Sequence, residues 1–310
     1  MRTRPSRRLA GIRLRTLIAV LALGVPLTAL STSSSALANP YSVFEQCPTE
    51  IPGVHFCLYG TTTKGEFAIG STKVPINKTI VIQGGALPTE PSEESGAYYV
   101  LPAKNGESLS KTELNVPGGL LDIIKCEEIK GSGWFETETR KACEAFFEGK
   151  LLGVTATTEI AATATNPAIL SLHNLFAESG SALTLPVKLH LKNPLLGNSC
   201  YIGSEEHPVQ LHLTTGVTSP PGPNKPIEGL VGEEGEEGEG GILTVHPLRL
   251  VDNAFSVPTA SGCGELFGYT GFLDSIVDAK LGLESKAGNN TAILEGEQKI
   301  ATASEVEKHL

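Results

Sequence analysis

From Asn39 onward, apolar and polar residues alternate in short runs, and glycine, proline, asparagine or serine separates one run from the next. Side chains on a strand point alternately to its two faces, so this period of two predicts half-buried β-strands. The runs fall at His55–Gly60, Gly65–Gly70, Ile76–Gly84, Ala97–Leu101, Leu152–Ala161, Ala168–Leu175, Pro186–Leu191, Pro208–Leu213, Gly241–Leu250, Asp278–Leu283 and Asn290–Gln298. They do not alternate regularly with helices, which argues against a parallel α/β sheet. Two stretches, Gly118–Ile129 and Gly264–Ala279, instead space their apolar residues by three and four, as short amphipathic helices do. The expected fold is therefore an all-β, antiparallel β-sandwich with two short helices.

Two of these runs nearly repeat: PVKLHL at Pro186–Leu191 and PVQLHL at Pro208–Leu213. Alternation puts Val187, Leu189 and Leu191 on one face and Lys188, His190 and Lys192 on the other. The second run divides in the same way, with Val209, Leu211 and Leu213 inward and Gln210, His212 and Thr214 outward. The sixteen residues between them suit an antiparallel return rather than a parallel crossover. His173 and His246 close similar runs, so four strand histidines could in principle converge on zinc or copper, with His190 and His212 the candidate ligands. Lys188 and Lys192 flank His190 and would repel a cation. The expectation is therefore ordinary sheet-face histidines, with no metal and no cofactor.

The residues before Asn39 have a different composition. Six arginines and no acid precede fourteen mostly apolar residues, Leu17–Leu30. That run is shorter than the roughly 20 residues a membrane-spanning helix needs. Ala36-Leu37-Ala38 then supplies an A-x-A cleavage pattern, so residues 1–38 read as a secretory signal peptide and 39–310 as the exported region. No cysteine follows the apolar run to take a lipid anchor. The whole chain carries 24 Lys and Arg against 34 Asp and Glu. Losing the leader's six arginines leaves 18 bases, a net charge of −16. Such a field repels phosphate backbones and anionic membranes, which removes nucleic acid and membrane surfaces as expected partners.

All six cysteines lie beyond residue 38, and none forms a C-x-x-C pair. In an oxidising compartment an even number reads as disulfides. Six cysteines allow 15 pairings. The pairing that closes short loops first is Cys47–Cys57, Cys126–Cys143 and Cys200–Cys263. Residues 214–241 are proline-rich and then rich in glutamate and glycine, which predicts a mobile loop. The sequons at Asn77 and Asn289 suggest that these asparagines face solvent.

Chemistry is sparse. Gly197–Tyr201 lacks the second glycine of a serine nucleophile elbow, and His-Glu-x-x-His and phosphate-loop motifs are absent. Glycoside hydrolysis needs only two carboxylates brought close by the fold, for which Glu66, Glu159 and Glu265 are available. One tryptophan and six tyrosines offer few aromatic faces for sugars.

The runs LPVKLHLKNPLLGNSCYIGS and HPVQLHLTTGVTSPP, with LVDNAF and SGCG further on, resemble a group of secreted bacterial all-β proteins. CPTEIPGVHFC and VPINKTIVIQGG near Asn39 are similar to it too. The likeness extends over most of residues 39–310; it implies export and one shared architecture, and adds no functional residue, because no activity is assigned to that group. The expectation is a secreted, non-catalytic interaction or structural protein of the cell envelope or exterior, with an unknown extracellular partner. The alternatives are a secreted glycan-acting hydrolase or glycan-binding module, and a metal-binding module using the strand histidines.

Overall fold

The computed structural model describes residues 39–90, 96–119, 153–237, 241–265 and 271–310. Among the described residues fourteen strands run in chain order: β1 (Phe56–Ile69), β2 (Thr72–Pro75), β3 (Ile80–Pro88), β4 (Ala97–Leu101), β5 (Leu114–Val116), β6 (Val154–Ile160), β7 (Ile169–Ser171), β8 (Leu183–Lys192), β9 (Tyr201–Ile202), β10 (Val209–Leu213), β11 (Leu230–Glu237), β12 (Ile242–Asp252), β13 (Ala260–Ser261) and β14 (Thr291–Thr302). Three helices accompany them: α1 (Leu172–Ala177), α2 (Phe272–Leu281) and α3 (Ala303–His309). A 3-10 turn, Pro40–Phe44, precedes β1. Among the described residues no helix is long and apolar enough to cross a membrane.

Every strand pairing is antiparallel, and the main path runs β11-β12-β14-β1-β3-β4-β7-β8. Along one edge of β8 lie β7 and β6, and along the other lie β10 and β9. Thr214, just past β10, exchanges two 2.9 Å main-chain hydrogen bonds with Val251 of β12. The path thus returns to its start and the sheet rolls up, so that opposite stretches face each other as the layers of a sandwich do. Between them Leu185, Val187, Leu189, Leu191, Leu211 and Leu213 form the centre of the main core.

The alternation in β8 and β10 predicted this packing. Val187, Leu189, Leu191, Val209, Leu211 and Leu213 are buried, while Lys188, His190 and Lys192 are half-buried and His212 is exposed. β10 pairs antiparallel with β8, with Val209 opposite Val187 and His212 opposite Thr184. Cys47 bonds Cys57 and Cys200 bonds Cys263. Cys126–Cys143 lies outside the described residues, as does the predicted helix Gly118–Ile129 beyond its first two glycines. Asn77 and Asn289 are both exposed.

Several expected elements differ. His55–Gly60 and Gly65–Gly70 are one continuous strand, β1, whose register on β14 shifts between Thr62 and Lys64. Gly65, the predicted start of the second run, has a φ of +123° and lies against the Ile293 carbonyl where a Cβ has no room. It serves a bulge within the strand. Ala168–Leu175 is strand only as far as Ser171, whose hydroxyl accepts the Asn174 N–H and starts α1. Asp278–Leu283 is the end of α2 rather than a strand, stopped by Gly282 at φ +71°. Of the predicted helix Gly264–Ala279, Phe272–Ala279 is helical, and residues 266–270 lie outside the described residues.

Residues 214–241 are not the predicted loop throughout. Leu230–Glu237 pairs with β12 as an edge strand, β11. The proline-rich half is tied down through Asn224, whose side chain donates to the carbonyls of Asn253 and Asn290. An edge strand needs only main-chain pairing along one side, so a run rich in glutamate and glycine can form it without burying apolar surface.

Candidate functional site

β6 and β8 carry their polar residues on one outward face. The register sets Thr157 opposite His190 and Glu159 opposite Lys188. His190 Nε2 donates to the Asn198 carbonyl at 3.0 Å, and its Nδ1 lies 3.4 Å from Glu159 Oε1. The ring stacks on Tyr201 with centroids 4.4 Å apart. Lys188 Nζ reaches Glu205 at 3.4 Å and Glu159 at 3.9 Å, and stands 5.3 Å from the centre of the Tyr201 ring. Lys192 donates to Glu113 at 2.8 Å, which holds the Glu113 carboxyl below its ordinary value. Thr157 Oγ1 is buried beneath this face and has no hydrogen-bond partner among the described residues.

The strand histidines do not converge. His212 sits opposite Thr184, six residues along β8 from His190, a separation of roughly 20 Å at the rise of a strand. Its Nδ1 contacts Thr184 Oγ1 at 3.4 Å. His173 lies in α1 rather than on a strand face, and His246 opposes Glu233 across β11–β12. Among the described residues no group of three His, Cys, Asp or Glu side chains is placed to hold a metal ion. The two candidate ligands are thus separate, because the repeat that makes their sequences alike pairs them out of phase.

The glutamates considered for glycan chemistry also have separate positions. Glu66 on β1 pairs with Lys73 at 3.5 Å, Glu159 belongs to the His190 cluster, and Glu265 follows the Cys200–Cys263 bridge. Burial raises the Asp252 and Asp278 carboxyls above their usual range. Both are bound by main chain: Asp252 accepts the N–H groups of His212 and Ala254, and Asp278 accepts that of Ala260.

Beside the His190 cluster runs a groove that no local sequence signal announced. One wall is the segment after β4, from Pro102 to Lys111, and the other is the end of β6 with residues 161–168. Its two lobes, about 330 and 390 Å³, share Val100, Leu101, Pro102, Ala162 and Ala168. Tyr99 stands at one end, 37% exposed. The charged residues at the other end are already partnered, Glu107 with Lys111 at 3.2 Å and Glu159 with His190. Three segments distant in sequence build the groove, so only Glu159 had been singled out beforehand. Chemically it offers an apolar floor with a balanced polar rim.

No family model, no curated protein and no solved structure matches this chain.

Proposed function

We propose that this is a secreted, non-catalytic interaction protein of the cell exterior or envelope, and that the groove between Tyr99 and Glu159 is its contact surface. The observation that carries the reading is the groove itself: an open apolar floor whose rim carboxylates are held in ion pairs. Carboxylates so engaged suit recognition better than acid–base chemistry, which needs groups free to exchange protons with a substrate. The two buried disulfides fit an oxidising exterior, where the leader would deliver the chain.

The test uses protein recovered from the culture medium of cells expressing the full chain. Labelled protein should bind an envelope fraction saturably, and Ala162→Arg, at an exposed groove position, should weaken that binding at least tenfold without altering the circular dichroism spectrum. Unchanged binding by both Ala162→Arg and Tyr99→Ala would contradict the assignment of the surface. Release of new reducing ends from envelope glycans, abolished by Glu159→Gln, would instead establish the hydrolase alternative.

A further inference from the structure

The groove also opens inward. Segment Ser108–Ser110 lies against β3, with Gln83 N–H donating to the Ser108 carbonyl and Ser110 N–H to the Val81 carbonyl, both at 2.8 Å. That pattern turns the main-chain groups of Leu109 away from β3 and toward β6. On β6 the Ala161 N–H donates to the Pro186 carbonyl, so the same alternation turns the main-chain groups of Thr158 and Ile160 away from β8. β5 covers this edge of β6 only at Val154–Ala156. Leu109 and Thr158 therefore face a window in the rolled sheet where, among the described residues, neither strand edge has a partner.

Behind the window lies a cavity of about 70 Å³ whose lining is mainly apolar, through Ile82, Leu185, Leu211 and Leu294, with Thr61 and Gln298 adding polar groups. A smaller lobe of about 30 Å³ adjoins it past Leu183, Leu248 and Leu250. A single water needs only ~10–15 Å³ of such space, together with two to four polar partners, and the stretch lined by Leu183, Leu185, Leu211 and Leu294 supplies none. The space suits carbon atoms instead. At the window the main-chain N–H and C=O groups of Leu109 and Thr158, unpaired among the described residues, would meet a polar head, and an uncharged one avoids the cost of burying an unpaired ion beside apolar surface.

We propose that this cavity binds a small amphipathic molecule, with an alkyl tail in the sheet interior and an uncharged hydrogen-bonding head at the Leu109–Thr158 window. The cavity meets the groove at Leu109, but the tests of the two assignments use different residues and either assignment can fail without the other.

Isothermal titration with a series of straight-chain alcohols tests it. Affinity should rise about fourfold per added methylene, the usual gain from burying that group, and then level off once the two lobes are filled. Octanoate should bind more weakly than octanol. Thr158→Phe, which plugs the window from a half-exposed position, should weaken octanol binding at least tenfold. Leu211→Ala, which enlarges the cavity, should move the plateau to a longer alcohol. The proposal is overturned if no alcohol from butanol to decanol binds saturably, if affinity ignores chain length, or if Thr158→Phe binds as the native chain does. Should Thr158→Phe fail to fold, an unmoved plateau in Leu211→Ala overturns it equally.

Discussion

His190 makes three contacts at once: a hydrogen bond to Asn198, an approach to Glu159 and a stack on Tyr201, with its side chain only 13% exposed. Together they fasten the β8–β9 connection to the sheet face. Replacing it by alanine should cost about 1–2 kcal/mol in urea denaturation, the range for losing a net hydrogen bond with its packing. The exposed His212 side chain makes one long contact, to Thr184, so His212→Ala, which keeps the main-chain bond to Asp252, should stay within about 0.5 kcal/mol. Equal effects would contradict the distinct roles assigned to the two. Asp252 makes a pH-dependent prediction. Burial raises its carboxyl above the ordinary 3.8, outweighing the two main-chain N–H groups that it accepts. Its contribution to stability is therefore fully present below pH 3.8 and is lost as pH rises through the raised value. Denaturation across pH 3 to 7 should show the native chain losing stability relative to Asp252→Asn over that window. Any offset from the lost acceptor is the same at every pH and leaves the slope intact.

At the scale of elements, β1 and β14 form the longest pairing, with Thr62 opposite Gly296. A Cβ at Gly296 would press on the Thr61 carbonyl, which is held in the ladder and cannot give way. Gly296→Ala should therefore destabilise by about 1–3 kcal/mol, the range for overpacking, measured by thermal or urea unfolding. A neutral result would contradict the close approach of the two strands. Element type was legible where burial on one face writes a period into the sequence, as in β8 and β10. It was hidden where a single residue decides. Ser171 converts an apolar run into a helix start, and Gly282 ends a helix whose tail reads as strand. β11 was hidden for a different reason, since an edge strand leaves no apolar pattern to read. The groove and the window were hidden because they arise from register among β3, β5, β6 and the segment 102–111, which side-chain periodicity does not encode. His190 was visible as a sheet-face residue, but its partners Tyr201 and Asn198 come from a connection whose path only the fold determines.

For the whole molecule, two disulfides among the described residues cross-link the chain over very different spans. Cys47–Cys57 spans 10 residues beside the 3-10 turn, whereas Cys200–Cys263 spans 63 and joins the ends of β9 and β13. Each should stabilise the fold by about 2–4 kcal/mol. If loop entropy governs, removing Cys200–Cys263 with paired serines should cost about 1.6 kcal/mol more than removing Cys47–Cys57. An equal or smaller loss in denaturant unfolding would contradict that ranking. Secretion of an oxidised chain underlies the proposed function, and the direct measurement is intact mass, N-terminal sequence and thiol count of the protein recovered from its producing culture. It predicts a chain in the medium beginning at Asn39 with no free thiol. A chain retained inside the cells, still carrying the arginines of residues 2–15 and reacting with thiol reagents, would contradict it.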